Sequence, residues 1–136
     1  MSHFTKQKVS YTDAECLVVA LGVLGFEAEA CKERKVRDYT GAATDQIANV
    51  IVKREKLGAH TADMGFYVDK TGKESQSFVD EYQNTHVAKL GGVNALCASI
   101  SQEYGVAVIS KTARAKGKVP HRVVGKDGKA YVFVGA

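Results

Sequence analysis

Thr12-Asp13-Ala14-Glu15-Cys16-Leu17-Val18-Val19-Ala20-Leu21-Gly22-Val23-Leu24-Gly25-Phe26 is the stretch that decides the architecture. Thr12 has the chemistry of an N-cap, and Glu15, three residues on, completes a capping box worth about 1 kcal/mol. Leu17, Leu21 and Leu24 recur at i, i+4 and i+7, with Ala20 on the same face. Gly25 supplies the residue that closes a helix, and Phe26 the apolar follower. The spacing predicts a helix over 13–24 with one face to bury. A second helix is written near the other end. After Gly91-Gly92, the residues Val93, Leu96, Cys97, Ile100 and Tyr104 fall at helical spacing, and Gly105 stands where Gly25 stood in the first.

Between and around the two helices the chain reads as strands. Ser2 to Tyr11 is extended, with Phe4, Val9 and Tyr11 as its larger apolar members. Glu27 to Lys32 alternates, Glu33-Arg34-Lys35 is a charged bend, and Val36 to Gly41 is a short extended piece ending in a turn. Ile47 to Val52 is β-branched and continuous except for Asn49, as a central strand would be. Met64 to Val68 and Ser75 to Val79 form a hairpin about Asp69-Lys70-Thr71-Gly72. Val106 to Ile109 reads as a strand after the second helix. Arg122–Val124 and Tyr131–Val134 form a last hairpin about Lys126-Asp127-Gly128-Lys129.

Two amphipathic helices are most simply buried side by side on one face of an antiparallel sheet. The expected class is therefore α+β, in a ferredoxin-like (split βαβ) or related arrangement. The length of 136 residues suits one domain, and the fold is expected to begin at residue 2 or 3 with no leader. No apolar run approaches the roughly 18 residues of a membrane span, so no membrane partner is expected. Cys16, Cys31 and Cys97 are odd in number and widely spaced, which points to free thiols and a reducing, cytoplasmic-type compartment.

Met1-Ser2-His3-Phe4-Thr5-Lys6, followed by Asp13-Ala14-Glu15-Cys16-Leu17, resembles the start of a plastid and cyanobacterial family, the hypothetical chloroplast reading frame thirty-five proteins. Val36-Arg37-Asp38-Tyr39-Thr40-Gly41 is similar to that family's Val-Arg-Gly-Tyr-x-Gly, with Asp38 in place of a glycine. Asp63-Met64-Gly65-Phe66 resembles its Asp-Ile-Gly-Phe strand, and Val93 to Gly105 occupies the place of its C-terminal helix. The family's tryptophan-bearing segment has no counterpart, since the chain contains no Trp. The resemblance implies a small protein without assigned activity, in a divergent or virus-borne form. It carries over no catalytic residue.

The histidines His3, His60, His86 and His121 are scattered, with no Cys or His at ligand spacing, so no metal or other cofactor is expected. Nothing resembles a nucleophile elbow or a glycine-rich phosphate loop, and the chain is not expected to be an enzyme. Gly91-Gly92 before a helix leaves open an anion at exposed backbone N–H groups, against a plain loop-to-helix junction. Arg37 and Tyr39 share one strand face, either as a holder for an anionic or planar ligand or as a cation–π pair on the sheet surface.

The net charge of +4 is unevenly spread. Lys111, Arg114, Lys116, Lys118, Arg122, Lys126 and Lys129 stand against Asp127 alone, so residues 111–129 carry +6 and the remainder −2. With Tyr131 and Phe133 close by, this segment suits nucleic acid or another polyanion. Solvated basic turns and guarded edge strands are the competing account. The leading expectation is a binding or assembly module, self-associating or meeting a protein partner through an open sheet face or an edge strand, as a subunit of a larger, viral or homo-oligomeric, assembly.

Overall fold

The computed structural model describes residues 4–135. His3 and the first residues of the family resemblance, with the start of the expected first strand, lie outside them. The elements follow the order β1 (Thr5–Lys8), α1 (Ala14–Val23), β2 (Ala28–Arg37), β3 (Ala43–Val52), β4 (Met64–Tyr67), β5 (Gln76–Val79), α2 (Thr85–Lys89), α3 (Val93–Ala115), β6 (Pro120–Val124) and β7 (Ala130–Val134). A short 3-10 turn spans Arg54–Lys56.

Strands β2 to β5 run as an antiparallel meander, and β1 pairs with β5 to give the order β1-β5-β4-β3-β2. Helix α1 therefore joins the two opposite edges across one face. The class is α+β with both long helices on that face. The ferredoxin-like order is not what forms: β1 and β2, which α1 joins, run parallel but with three strands between them, and α3 leads to no further strand of this sheet. The hairpin β6–β7 is a separate two-stranded sheet lying against α3.

Leu17 and Leu21 of α1 meet Leu96 and Ile100 of α3 over Val50, Val52, Met64, Phe66 and Val79 of the sheet, all essentially without solvent contact. Each such side chain contributes about 1.5–3 kcal/mol by leaving water. The entry to α1 is held from α3: the Tyr104 hydroxyl accepts from the backbone N–H groups of Thr12 (2.9 Å) and Asp13 (3.1 Å). The cap itself is Asp13 rather than Thr12, its Oδ1 accepting from Cys16 N at 3.1 Å. Gly25 closes the helix at φ +92°, with Phe26 N donating back to Leu21 O.

Helix α3 departs from the reading of its local sequence. It does not stop at Gly105, and no strand forms over Val106 to Ile109. One helix runs to Ala115. Its buried residues Val93, Leu96, Ile100, Glu103, Ala107, Ser110 and Ala113 keep one face turned inward through the glycine. That continuous stripe outweighs the strand propensity of Val106, Val108 and Ile109. The start of α3 is capped by Glu81, whose Oε1 accepts from Val93 N at 2.7 Å. The chain's own carboxylate thus occupies the place that Gly91-Gly92 leaves open to an anion.

The second sheet face is also not as expected. Ile51, Gly65 and Phe78 are in register across β3, β4 and β5. β2 is irregular between Ala30 and Arg34 and again between Lys35 and Arg37, so the charged bend is an irregularity within one strand. Val36 comes to lie over Gly65 and is fully buried. A small closed core forms there from Val36, Ala48, Ile51 and Phe78 in place of a bare apolar surface.

Candidate docking surface

Helix α1 is apolar nearly all the way round, a pattern suited to a helix covered on every side. It is covered on one side only. Val19 and Val23 remain 53% and 50% exposed. With Val106 and Ala107 of α3 they line a groove of about 350 Å³ whose far wall is Arg122 of β6.

Both walls of this groove are ionic. Glu103 of α3, 4% exposed, takes a two-pronged contact from Arg122, Nε to Oε1 at 2.9 Å and NH2 to Oε2 at 2.7 Å. Parallel charge-assisted bonds of this kind are strong and fix orientation. The Arg122 guanidinium holds the Glu103 carboxyl below its ordinary value. Near the N-terminus of α1, Lys111 Nζ lies 2.7 Å from Asp13 Oδ2 and 3.6 Å from Glu15 Oε2. The contact lowers Asp13 and raises Lys111. Cys16 on the groove wall is pushed up by burial, so its thiol stays protonated and poorly nucleophilic.

The hairpin extends the exposed apolar area. The pairs His121↔Phe133, Arg122↔Val132 and Val123↔Tyr131 put Val132 beside Arg122, on the side that reaches Glu103. Val123, Tyr131 and Phe133 share the other side with His121 and are exposed, Phe133 by 63%. The turn is fastened by Asp127, which accepts from Lys129 N at 2.9 Å and from the Tyr131 hydroxyl at 2.5 Å. Among the described residues, nine of the eleven exposed large apolar side chains lie on α1, the C-terminal half of α3, and the segment 119–134.

The structure divides the seven basic residues. Lys111 and Arg122 are engaged by carboxylates and are walls of the groove. Arg114 stands at the groove lip, Lys116 and Lys118 flank Ile109 and Val134, and Lys126 and Lys129 stand at the hairpin tip. Among the described residues, these five have no carboxylate within 4.0 Å. Lys116 and Lys118 precede β6 and Lys126 and Lys129 follow it, so these cations fall into two groups separated by the length of a five-residue strand, about 17 Å.

Arg37 is held by carboxylates. Its guanidinium makes four hydrogen bonds, two to Asp63 (2.9 and 3.1 Å) and two to Glu55 (2.7 and 2.9 Å). Asp63, 2% exposed, also accepts from the backbone N–H groups of Arg37 and Arg54. Tyr39 meets Tyr82 edge-on, ring centroids 5.3 Å apart. Arg37 thus joins β2 to the 54–63 loop, and its charge is already matched.

Among the described residues no three His, Cys, Asp or Glu side chains gather as a metal site would need, and no helix is long and apolar enough to cross a membrane. The three thiols are free. Val19, Val23 and Glu103 were not singled out in the sequence. The signal for the valines was the all-round apolarity of α1; for Glu103 it was its place three residues after Ile100, on the buried stripe. Comparison with protein-family models, curated proteins and solved structures gives no match.

Proposed function

We propose that this protein is a small assembly module, not an enzyme, which associates with further copies of itself through the surface formed by α1, the C-terminal half of α3 and the β6–β7 hairpin. The observation that carries the reading is the concentration of exposed Val, Ile, Tyr and Phe side chains on that side. Exposed apolar side chains gathered on one part of a surface mark a contact site in a folded protein. A two-stranded hairpin is also marginal by itself in water and gains from further cover. The role fits a subunit of a larger, viral or homo-oligomeric, structure. Membership of the chloroplast reading frame thirty-five family belongs to the same proposal. Two of the resembling segments clasp each other here, Val36 over Gly65 and Arg37 on Asp63.

Light scattering coupled to size exclusion tests the reading across the micromolar range. Particles of two or more 14.6 kDa chains are expected, falling to one chain when Val19 and Val23 are both changed to Lys or when the hairpin is altered. A single-chain mass at every concentration overturns it. A second reading, binding of nucleic acid or another polyanion, is favoured by the five unpaired cations Arg114, Lys116, Lys118, Lys126 and Lys129. It expects salt-sensitive retention on heparin that is lost when Lys116 and Lys118 become Gln.

A further inference from the structure

The edges of the two sheets are guarded unequally. β1 carries Lys6 and Lys8 on the outer edge of the large sheet. β2, at the opposite edge, carries Lys32, Glu33, Arg34 and Lys35 and is irregular twice. β6 begins with Pro120 and has Arg122 at its centre. Charges, irregularities and proline are the devices that keep an edge from pairing. β7, Ala130-Tyr131-Val132-Phe133-Val134, has none of them. It is uncharged, rich in β-formers and paired on one side only.

The ladder shows which of its backbone groups are free. Gly125 N donates to Lys129 O, and Gly135 N to Val119 O. Bonded pairs in an antiparallel ladder alternate, so Tyr131 and Phe133 exchange bonds with Val123 and His121. The N–H and C=O groups of Ala130, Val132 and Val134 point away from β6, toward an edge with no strand beside it among the described residues. The same alternation turns residues 120, 122 and 124 outward on β6, where Pro120 has no N–H to give.

We propose that β7 pairs antiparallel with β7 of a second copy about a two-fold axis at Val132, forming the four-stranded sheet β6-β7-β7-β6. This rests on the assembly reading above and names the partner and the register. The two-fold puts Val132 opposite Val132, Ala130 opposite Val134, and Tyr131 opposite Phe133. All three outward-facing residues of each strand then exchange both of their backbone bonds, and no charge meets its like. Pairing through β6 would set Arg122 against Arg122. In the β7 arrangement each Tyr131 meets a Phe133 of the other copy on the outer side of the sheet, twice over. Aromatic cross-strand pairs of this kind stabilise a sheet.

Amide hydrogen exchange followed by NMR, with the mass measured on the same samples, tests the pairing. The Tyr131 and Phe133 amides are expected to be protected at every concentration. Those of Ala130, Val132 and Val134 should slow by about a hundredfold as the dimer forms. A dimer in which these three amides still exchange freely overturns the pairing and leaves assembly standing. A chain that never exceeds one chain mass overturns both. Val132→Pro removes an outward N–H that β6 does not use. It should give a single-chain species that keeps the Tyr131 and Phe133 protection; a dimer that survives with the hairpin intact overturns the pairing alone. Should the hairpin itself open in that variant, the wild-type exchange pattern decides.

Discussion

Gly65 has the least room of the chain's glycines. A Cβ placed there would lie 2.4 Å from Val36 Cγ2 and 3.2 Å from Ala48 Cβ. Neither neighbour yields easily, since valine is stiff about χ1 and the alanine carbon is fixed to the backbone. The backbone at Gly65 does not have positive φ, so the requirement is one of space. Gly65→Ala is expected to destabilise the protein by about 1–3 kcal/mol in chemical denaturation. Adding Val36→Ala should recover part of that loss. A change within about 0.5 kcal/mol for Gly65→Ala would place Val36 elsewhere.

At the scale of elements, two glycines that look alike in sequence do opposite things. Gly25 ends α1 with φ +92°, while Gly105 lies inside α3 with ordinary helical backbone and nothing within 4 Å of a built Cβ. Gly105→Ala is therefore expected to stabilise by about 0.5–1 kcal/mol, by restricting the unfolded chain and improving helix propensity. Gly25→Ala should destabilise by about 1 kcal/mol, because an L side chain is strained at that φ. Thermal unfolding of both variants reads the two signs. Destabilisation by Gly105→Ala would restore a helix end at that point. In sequence, Gly-Val-Ala-Val-Ile after a tyrosine has the local form of a helix stop followed by a strand. Only the buried positions Ala107, Ser110 and Ala113 keep it helical.

For the whole molecule, acid is the revealing condition. Lys111 lowers Asp13 and Arg122 lowers Glu103. The hydroxyls of Thr40, Thr71 and Tyr131 do the same for Asp38, Asp69 and Asp127. A carboxyl lowered on folding adds stability that is complete above its unfolded value, about 4. That stability is lost as pH falls through the lower folded value. The unfolding midpoint should therefore be level near neutrality and drop below about pH 4. The exposed carboxyls add little to this, and buried Glu103 adds most. Arg122→Gln should lower stability at neutral pH and make the acid fall shallower, because Glu103 no longer gains from ionising in the fold. A midpoint that rises between about pH 5 and 3 would contradict these pairings.

The sequence by itself determined what hydrogen bonding and periodicity settle within a few residues. It determined α1 with its glycine close, the Asp69–Gly72 turn whose Gly72 N reaches Asp69 O at 2.8 Å, the hairpin about Asp127-Gly128, and the central strand broken at Asn49, whose amide bonds both Val68 N and Val68 O. Two helices on one sheet face followed from their apolar stripes. Tertiary structure alone decided what depends on distant partners. β1 lies beside β5 rather than near β2, Val36 closes the second face, and α3 outruns its glycine. It also decided which charges are free. Lys111 meets Asp13 across 98 residues and Arg122 meets Glu103, so a segment that reads as one basic patch becomes two ion-paired walls and two separate groups of cations. Charge counts add along a chain, but charges are matched in space, and burial between remote segments is not written in either one alone.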